Sequence, residues 1–316
     1  MKEIVILGPT ASGKTRLAVA LAKEINGAII SADSRQVYRG LDIGTGKDLS
    51  EYGEIPYSLI DLVEAGDRFN ISQYLSHVQA ALSKIRESGL TPIICGGSGL
   101  YLQALIQGVD FSEVPVNEEL RQKLYALSLT QLRQMLDGLE KPNGFQPDTS
   151  TAKRLIRAIE ICHWISENPH YTPSPPLCPN AKVFGLAPAL ETRRQHISTR
   201  LHQRLQAGLV EEVDALLKKG LRAEQLIYYG LEYKYTTLYL QGNIDYTEFV
   251  DKLETEIHRF AKRQMTYFRK MEKDGIAVHW LNPDYTSGIA ALNIYSRLKG
   301  SDTQAWLAEI FAAGIA

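Results

Sequence analysis

Short apolar runs alternate with helical patterns along the first 110 residues. Brief apolar runs predict strands, and longer segments with an apolar residue every three or four positions predict helices. In chain order these segments are Ile4–Leu7, Leu17–Ile25, Ala28–Ile30, Ser58–Val63, Tyr74–Ile85 and Pro92–Cys95. Alternating strands and helices are typical of a parallel sheet covered by helices. We therefore predict an α/β core in this part of the chain.

The strand-like runs stop after Glu113, and the pattern to about Glu167 is helical. Five prolines between Asn168 and Asn180 then predict a loop, because proline propagates neither a helix nor a central strand. The segments predicted after this loop are the strand Val183–Leu186 and helices at Glu191–Ala207, Val210–Lys219, Tyr246–Glu272 and Thr303–Phe311. We therefore predict a core over residues 1–112, a helical insertion over 113–180, and a core continuation with C-terminal helices over 181–316.

The composition is that of an ordinary globular protein, with 316 residues, 44% apolar residues and a formal net charge of −1. Neither the N-terminus nor any internal run has the apolar length of a signal peptide or a membrane span. The cysteines, Cys95, Cys162 and Cys178, form no C-x-x-C pair and predict neither a disulfide framework nor a zinc site. We read Cys95, at the end of a predicted strand, as a packing residue, and we expect a cytoplasmic protein with no membrane contact.

A phosphate-binding motif lies between the first predicted strand and helix. Its residues, Gly8, Pro9, Thr10, Ala11, Ser12, Gly13, Lys14 and Thr15, match G-x-x-x-x-G-K-[ST]. Glycines let successive backbone N–H groups turn toward phosphate oxygens, and the helix N-terminus adds its positive dipole end. Lys14 supplies the bridging charge and Thr15 a hydroxyl for Mg²⁺. The motif predicts a diphosphate or triphosphate ligand without defining what carries the phosphates.

Asp33 follows the second predicted strand and would lie beside the phosphate loop, where open α/β sheets bind ligands. A carboxylate there could hold Mg²⁺, accept a proton from a nucleophile, or merely cap a helix. Its spacing from the phosphate loop leaves these roles open.

Three motifs together resemble the tRNA dimethylallyltransferase (tRNA isopentenyltransferase, IPP transferase) family. They are the phosphate loop, the D-S-x-Q-x-Y-x-G-x-D-I-G-T-x-K segment over residues 33–47, and Gly96-Gly97-Ser98-Gly99-Leu100-Tyr101. The resemblance continues in Val114-Pro115 with Arg121 and in segments 153–160, 207–213 and 261–269, so that it spans roughly residues 1–282.

The resemblance implies a P-loop NTPase-like sheet with a helical, tRNA-binding insertion. Family members transfer a dimethylallyl group from dimethylallyl diphosphate to the N6 amine of an adenosine adjacent to the anticodon, and diphosphate leaves. By this resemblance Gly8–Thr15 binds the diphosphate with Mg²⁺ held at Thr15. Asp33, Lys14 and Ser98 would be catalytic, with Asp33 orienting or deprotonating the amine. The residues implied to contact tRNA are Asp33, Ser34, Arg35, Gln36, Ser98, Arg121, Lys153, Arg154, Leu155, Ile156 and Arg157. We expect a monomer.

Two basic segments favour a nucleic-acid partner independently of the resemblance. Residues 151–210 hold eight Lys and Arg against three acids, and residues 257–271 hold five with no acid. One such run is usually a solvated helix face, but two of them, with aromatic residues in the second, favour phosphate contacts.

The sequence departs from the family pattern at two charged positions. Glu232 replaces the lysine of the I-G-Y-K-E segment, and His258 replaces an arginine expected to face the diphosphate. Three alternatives stay open: a divergent paralogue that prenylates free adenine nucleotides, an ATP-dependent nucleotide or small-molecule kinase with Asp61 as a Mg²⁺ ligand, and an RNA-binding protein that has lost catalysis.

Overall fold

A parallel sheet forms the centre of the protein, which we describe from a computed structural model at residues 3–108, 111–143, 145–282 and 286–299. Within these ranges the strands run in the order β3-β2-β4-β1-β5-β6, and every pairing is parallel. The strands are β1 (Ile4–Leu7), β2 (Gly27–Ser31), β3 (Tyr57–Ser58), β4 (Thr91–Gly96), β5 (Lys182–Gly185) and β6 (Val278–Trp280).

Helices cover both faces of this sheet. Side chains alternate between the faces along a strand, so Val5 and Leu7 of β1 pack into one core cluster while Ile4 and Ile6 pack into the other. The helices of the described chain are α1 (Lys14–Ile25), α2 (Ile71–Glu87), α3 (Gly99–Gln107), α4 (Glu118–Tyr125), α5 (Leu129–Asp137), α6 (Ala152–Glu167), α7 (Leu190–Gln206), α8 (Leu209–Lys218), α9 (Ala223–Tyr228), α10 (Leu231–Leu240), α11 (Tyr246–Lys273) and α12 (Ser287–Lys299). This arrangement confirms the predicted fold class.

The strand predicted at Ser58–Val63 is wrong beyond its first residue. Strand β3 ends at Ser58, because Leu59 and Asp61 adopt positive φ angles of 66° and 57°. A left-handed residue breaks the extended backbone that a strand needs. The turn instead lets Asp61 form an ion pair with Lys47.

Residues 107–176 form a compact unit distinct from the rest of the chain. Its core is made by α4, α5 and α6, which contribute the buried residues Leu124, Leu132, Leu136, Leu155 and Ile159. The sequence pattern predicts a helical insertion over residues 113–180, and the contacts place the limits of the unit at Gln107–Pro176.

The chain leaves and re-enters the α/β unit at neighbouring points, where the Cys178 N–H donates to the Leu105 carbonyl at 2.8 Å.

None of the helices in the described ranges has both the length and the apolar character of a membrane span. The helix predicted at Thr303–Phe311 lies outside the described residues.

Candidate active site

The phosphate loop is preformed around the N-terminus of α1. Ala11 and Gly13 have φ angles of 58° and 80°, and Gly13 caps α1 without any side-chain hydrogen bond to its amides. The helix therefore presents free N–H groups and its positive dipole end. A Cβ on Gly8 would lie 2.6 Å from Ser12 Oγ and 3.1 Å from the Leu186 carbonyl oxygen, so a larger residue would crowd the loop here. Ser12 Oγ is itself buried without a hydrogen-bond partner among the described residues.

Gln264 of α11 ties this loop to the glycine turn after β4. Its Oε1 accepts the Thr10 N–H at 2.8 Å, and its Nε2 donates to the Gly97 carbonyl at 2.9 Å. The side chain is buried, so both bonds are shielded from water. In the sequence, Gln264 lies within the segment 261–269 that resembles the family, and no role for its side chain is predicted from that resemblance. The contact joins positions far apart in sequence, so no local pattern could reveal it.

Lys14 is enclosed at the centre of the site. Burial lowers the pKa of its ammonium; Cys95 and Asp33 oppose this shift, while Arg200 and Arg204 reinforce it by repulsion. Its Nζ donates to the Pro9 carbonyl at 3.4 Å, a long bond. The ammonium is thus poised for an anionic ligand that would offset its desolvation.

Cys95 behaves as the packing residue expected from the sequence. Burial raises the pKa of the Cys95 thiol to about 12, despite the nearby Lys14 ammonium. The thiol therefore stays protonated near neutral pH and is no nucleophile.

Asp33 and Ser98 come together from the ends of β2 and β4. The Ser98 N–H donates to the Ala32 carbonyl at 3.2 Å, and Ser98 Oγ accepts the Ser34 N–H at 3.1 Å. Asp33 Oδ1 accepts the Arg35 N–H at 2.9 Å within a turn, not at the start of a helix. The structure therefore brings together Lys14, Asp33 and Ser98 at the carboxyl edge of the sheet.

The side chains of Arg35 and Gln36, which follow Asp33, both contact other residues of the protein. Gln36 accepts from Ser31 Oγ at 2.9 Å and donates to the Gly46 carbonyl at 3.1 Å. The Arg35 guanidinium lies 4.8 Å from the ring centroid of Tyr228, which is 51% exposed. Arg35 and Tyr228 thus offer an accessible cationic and aromatic surface beside Asp33.

A buried lysine fixes the segment that follows. The Lys47 ammonium, 1% exposed, pairs with Asp42 at 2.6 Å and with Asp61, and donates to the Tyr38 carbonyl at 2.8 Å. The Asp61 carboxylate is therefore paired with the Lys47 ammonium. This ion pair argues against the kinase alternative, in which Asp61 would bind Mg²⁺.

Glu212 of α8 holds the same segment from its other side. Its carboxylate accepts the N–H groups of Asp42, Ile43 and Gly44 at 2.9, 2.7 and 3.0 Å, and the Tyr233 hydroxyl at 2.7 Å. No sequence motif predicted this contact.

The donor set at the loop suits Mg²⁺ bound mainly by phosphate. No group of three or more His, Cys, Asp or Glu side chains in the described part of the chain could hold a metal ion. Thr15 is partly exposed at the start of α1 beside the open N–H groups. Mg²⁺ is commonly held by one or two protein oxygens together with phosphates and water, so a single hydroxyl fits it.

The residues of the helical unit that are implied to bind tRNA differ in how far their side chains are exposed. Leu155 and Ile156 are buried in its core. Arg121 forms a bidentate ion pair with buried Glu160 at 2.7 and 2.8 Å, and Arg157 donates to the carbonyls of this unit at 2.7–3.5 Å.

Among the residues of the helical unit that are implied to bind tRNA, Lys153 and Arg154 are exposed. Arg154 forms an ion pair with Asp148 at 2.6 Å. Of residues 153–157, Lys153 and Arg154 therefore have exposed side chains, Arg157 is partly exposed, and Leu155 and Ile156 are buried.

His258 and Glu232, the two residues that depart from the family pattern, both lie beside an oppositely charged side chain. His258 Nε2 lies 3.8 Å from Glu254, one turn earlier on α11. Glu232 forms an ion pair with Arg204 of α7 at 2.8 Å. Neither departure leaves a charged group isolated.

Comparison with known proteins gives consistent matches along the chain. Residues 36–271 match the IPP transferase family, and residues 1–54 match the isopentenyl transferase family. A tRNA dimethylallyltransferase 2 of Porphyromonas gingivalis is 49% identical over 284 residues, 88% of this chain and 93% of its own length. A tRNA dimethylallyltransferase 2 of Bacteroides fragilis is 47% identical over 283 residues, covering 88% and 92%.

Solved structures agree with these sequence matches. The tRNA isopentenylpyrophosphate transferase of Bacillus halodurans superimposes with a TM-score of 0.70 at 31% identity, covering 95% of this chain and 96% of its own. A eukaryotic dimethylallyltransferase acting on tRNA has a TM-score of 0.78 at 20% identity, covering 96% and 81%, and at that identity supports the fold alone.

Proposed function

The chain belongs to the IPP transferase family, as its motifs suggested, and from that premise we propose that it transfers a dimethylallyl group from dimethylallyl diphosphate to an adenosine of tRNA. The proposed acceptor is the N6 amine of the adenosine adjacent to the anticodon, and diphosphate is the leaving group. The observation that carries the proposal is the clamp by Gln264, which sets an open phosphate cradle against the strand ends bearing Asp33 and Ser98.

The reaction forms one bond and breaks one. The adenosine N6 attacks the first carbon of the dimethylallyl group, the bond from that carbon to the diphosphate oxygen breaks, and its electron pair leaves with the diphosphate. The nitrogen then releases a proton. The exocyclic amine is a weak nucleophile because its lone pair is delocalised into the ring, so a positioned proton acceptor aids the step.

Asp33 is the proposed proton acceptor. Its Oδ1 is held by the Arg35 N–H, and no hydrogen bond to Oδ2 exists among the described residues. Ser98 Oγ accepts from the Ser34 N–H, and its own proton has only a 3.5 Å contact with Ser34 Oγ, so it can donate to substrate. Both groups are thus oriented by backbone N–H groups before substrate arrives.

The leaving diphosphate is stabilised by the loop N–H groups, the α1 dipole and Lys14. Mg²⁺, held by Thr15 and the phosphates, would neutralise further charge on the diphosphate when bound. The adenine must leave its stack to reach Asp33, as other enzymes that act on bases require. Arg35, next to Asp33, and the exposed Lys153 and Arg154 of the helical unit are the proposed tRNA contacts. Action as a monomer in the cytoplasm is part of the proposal.

Labelled dimethylallyl diphosphate tests the proposal directly. The protein with Mg²⁺ is offered unmodified tRNA or AMP, and label is followed into adenosine; a parallel reaction offers ATP with small acceptors. We expect label in tRNA. Label in AMP alone would indicate the free-nucleotide paralogue. ATP turnover without prenyl transfer would contradict the proposal in favour of a kinase, and tRNA binding without either reaction would indicate a protein that has lost catalysis.

Asp33→Asn tests the proton acceptor. Removing a general base costs about 10²- to 10⁴-fold in rate, so kcat should fall by at least about 10² while tRNA affinity stays within a few-fold. Asp67→Asn, at an exposed position, is the matched control. Near-normal transfer by Asp33→Asn would exclude this role.

A further inference from the structure

An exposed aromatic ring lies beside the proposed proton acceptor. Tyr228, the last residue of α9, keeps 51% of its surface exposed. Burial raises the pKa of the neighbouring Tyr101 phenol. Arg35 lowers this pKa, whereas Tyr228 and Asp33 raise it, so all three lie near the same hydroxyl. A single exposed tyrosine is ordinary, so a role for this ring depends on how it is held and on what faces it.

The position of the Tyr228 ring is fixed by its neighbour in the chain. Tyr229 is buried, packs against Tyr38 with ring centroids 4.6 Å apart, and accepts the Gly66 N–H on its hydroxyl at 2.5 Å. The Tyr228 ring meets the Tyr229 ring edge to face, at 5.8 Å and 70°. The exposed ring is therefore mounted on a buried, hydrogen-bonded support.

Arg35 connects this ring to Asp33. Its backbone N–H donates to Asp33 Oδ1 at 2.9 Å, and its guanidinium carbon lies 4.8 Å from the centroid of the Tyr228 ring. That distance is within the range of a cation–π contact. In the described part of the chain the Arg35 guanidinium forms no ion pair. The Cα atoms of Asp33 and Arg35 are at most about 7 Å apart, so the stacked pair of side chains begins next to the proton acceptor.

A flat ring joined to an unpaired guanidinium matches the chemistry of a nucleobase. Single-stranded bases stack on aromatic side chains and on arginine planes, and this contact tolerates any base because each has a π face. When the target adenosine leaves its stack, a neighbouring base loses a stacking partner. A preformed ring at this place offers that base a replacement.

We propose that Arg35 and Tyr228 form a stacking platform for a base that neighbours the target adenosine in the RNA chain, and that Tyr228 thereby determines how readily the adenosine is held out of its stack. The inference rests on the proposed function. The competing explanation is that the ring only covers the Arg35 side chain and contacts no substrate.

Substitutions of Tyr228 test the platform in the transfer assay with tRNA. Tyr228→Ala should lower kcat/KM for tRNA by about 10- to 100-fold, the loss that removing one stacking side chain causes. Tyr228→Phe and Tyr228→Trp keep a flat ring and should stay within about threefold. Arg35→Gln keeps the backbone N–H that holds Asp33, and should lose about 2- to 5-fold.

Tyr246→Ala is the matched control. Tyr246 begins α11 and has the same exposed fraction as Tyr228, so its removal should leave kcat/KM for tRNA within about twofold. Affinity for inorganic pyrophosphate with Mg²⁺, measured by titration, should be normal in every variant. That second measurement separates a contact with RNA from damage to the fold, which would weaken both.

Abasic RNA identifies the base concerned. RNA hairpins with the anticodon-loop sequence are made with the base removed from the nucleotide on the 5′ side or on the 3′ side of the target adenosine. If a neighbouring base stacks on Tyr228, one of these hairpins will be a poorer substrate of the unmodified protein, and Tyr228→Ala will cause little further loss with it. Additive losses with both hairpins would show that the ring contacts neither base and would overturn the inference.

The remaining outcomes separate this inference from the function on which it rests. Normal kcat/KM for tRNA in Tyr228→Ala, or a loss matched by a loss of pyrophosphate affinity, would overturn the inference and leave the proposed function standing. Failure of the unmodified protein to prenylate any tRNA would overturn the proposed function, and the inference with it.

Discussion

Gln264 links two parts of the site through one side chain. Its partners Thr10 and Gly97 lie 254 and 167 positions away along the chain. The amide donates and accepts at once, a combination that neither a carboxylate nor an aliphatic side chain offers. Gln264 therefore adds a direct link between the phosphate loop and the turn that carries Ser98, which follow the paired strands β1 and β4.

Gln264→Ala should separate binding from chemistry. The change leaves the Thr10 N–H and the Gly97 carbonyl unpaired in a buried site, at a cost of about 1–3 kcal/mol each. We expect a higher KM for dimethylallyl diphosphate and a lower kcat, measured by steady-state transfer. Gln195→Ala, at an exposed position of α7, is the control. Unchanged kinetics in Gln264→Ala would show that the clamp is dispensable.

At the scale of elements, the segment between β2 and β3 is held by many hydrogen bonds although it contains little regular structure. Lys47 holds it from within, and Glu212 holds it from α8 through three successive N–H groups. The Gly46 and Lys47 N–H groups of this segment donate instead to the Ile43 and Asp42 carbonyls, so its backbone donors are shared between Glu212 and the segment itself. These hydrogen bonds stabilise the segment that follows Asp33 and Gln36.

Glu212→Gln should loosen this segment selectively. The amide keeps one acceptor oxygen but turns an NH₂ group toward backbone donors, so at least one of the three bonds is lost. Hydrogen exchange of the Asp42, Ile43 and Gly44 amides should accelerate by about 10-fold or more, since each lost charged bond is worth about 1.5–3 kcal/mol. Glu211→Gln, at an exposed neighbouring position, should leave these amides protected. Equal protection in the two variants would refute the role of Glu212.

Helix α10 shows where patterns along the sequence fail. Its residues, rich in tyrosine and threonine, have the composition of a strand, and no helix was predicted there. The structure buries Thr236 and Thr237 within the helix, between apolar neighbours. Tertiary packing therefore overrides the local preference.

For the molecule as a whole, the positions of the phosphate loop and of Asp33 could be predicted from the sequence, and the residues that support them could not. The phosphate loop and Asp33 follow directly from β1 and β2, so motif spacing fixes where they lie. Gln264 and Glu212 act across long sequence separations, which no pattern in one chain encodes. The resemblance implies tRNA contacts along the whole 153–157 stretch, and only the structure shows that side-chain burial differs along it.

Glu160→Gln should destabilise the helical unit without disturbing the phosphate site. Glu160 is 1% exposed as a side chain and pairs with Arg121 and Arg157, so its loss leaves two guanidinium groups underpaired. Breaking a buried pair costs about 3–5 kcal/mol, and the partial exposure of both arginines favours the low end. Proteolysis should cleave within residues 107–176 at lower protease concentration, while pyrophosphate affinity stays normal. Glu140→Gln, at an exposed position, is the control, and equal resistance of the two variants would contradict the prediction.

Lys153→Gln should weaken tRNA binding through charge alone. An exposed lysine that contacts phosphate releases about one counterion, so the slope of log affinity against log salt concentration should fall by about 0.7–0.9. Fluorescence anisotropy with labelled tRNA over a range of salt concentrations measures this. Lys218→Gln, an exposed lysine of α8, provides the comparison. An unaltered slope in Lys153→Gln would remove this residue from the RNA contact.

The hydrogen bond between Cys178 and Leu105 makes residues 107–176 an exchangeable module. The two chain ends that it joins are adjacent, so a short linker can replace the entire segment without breaking a strand of the sheet. Closing the chain with a linker of a different length changes the free energy little, because the entropic cost of loop closure grows only logarithmically with loop length. Under the proposed function, acceptor preference could consequently be altered by exchanging this segment while the residues of the phosphate loop stay unchanged.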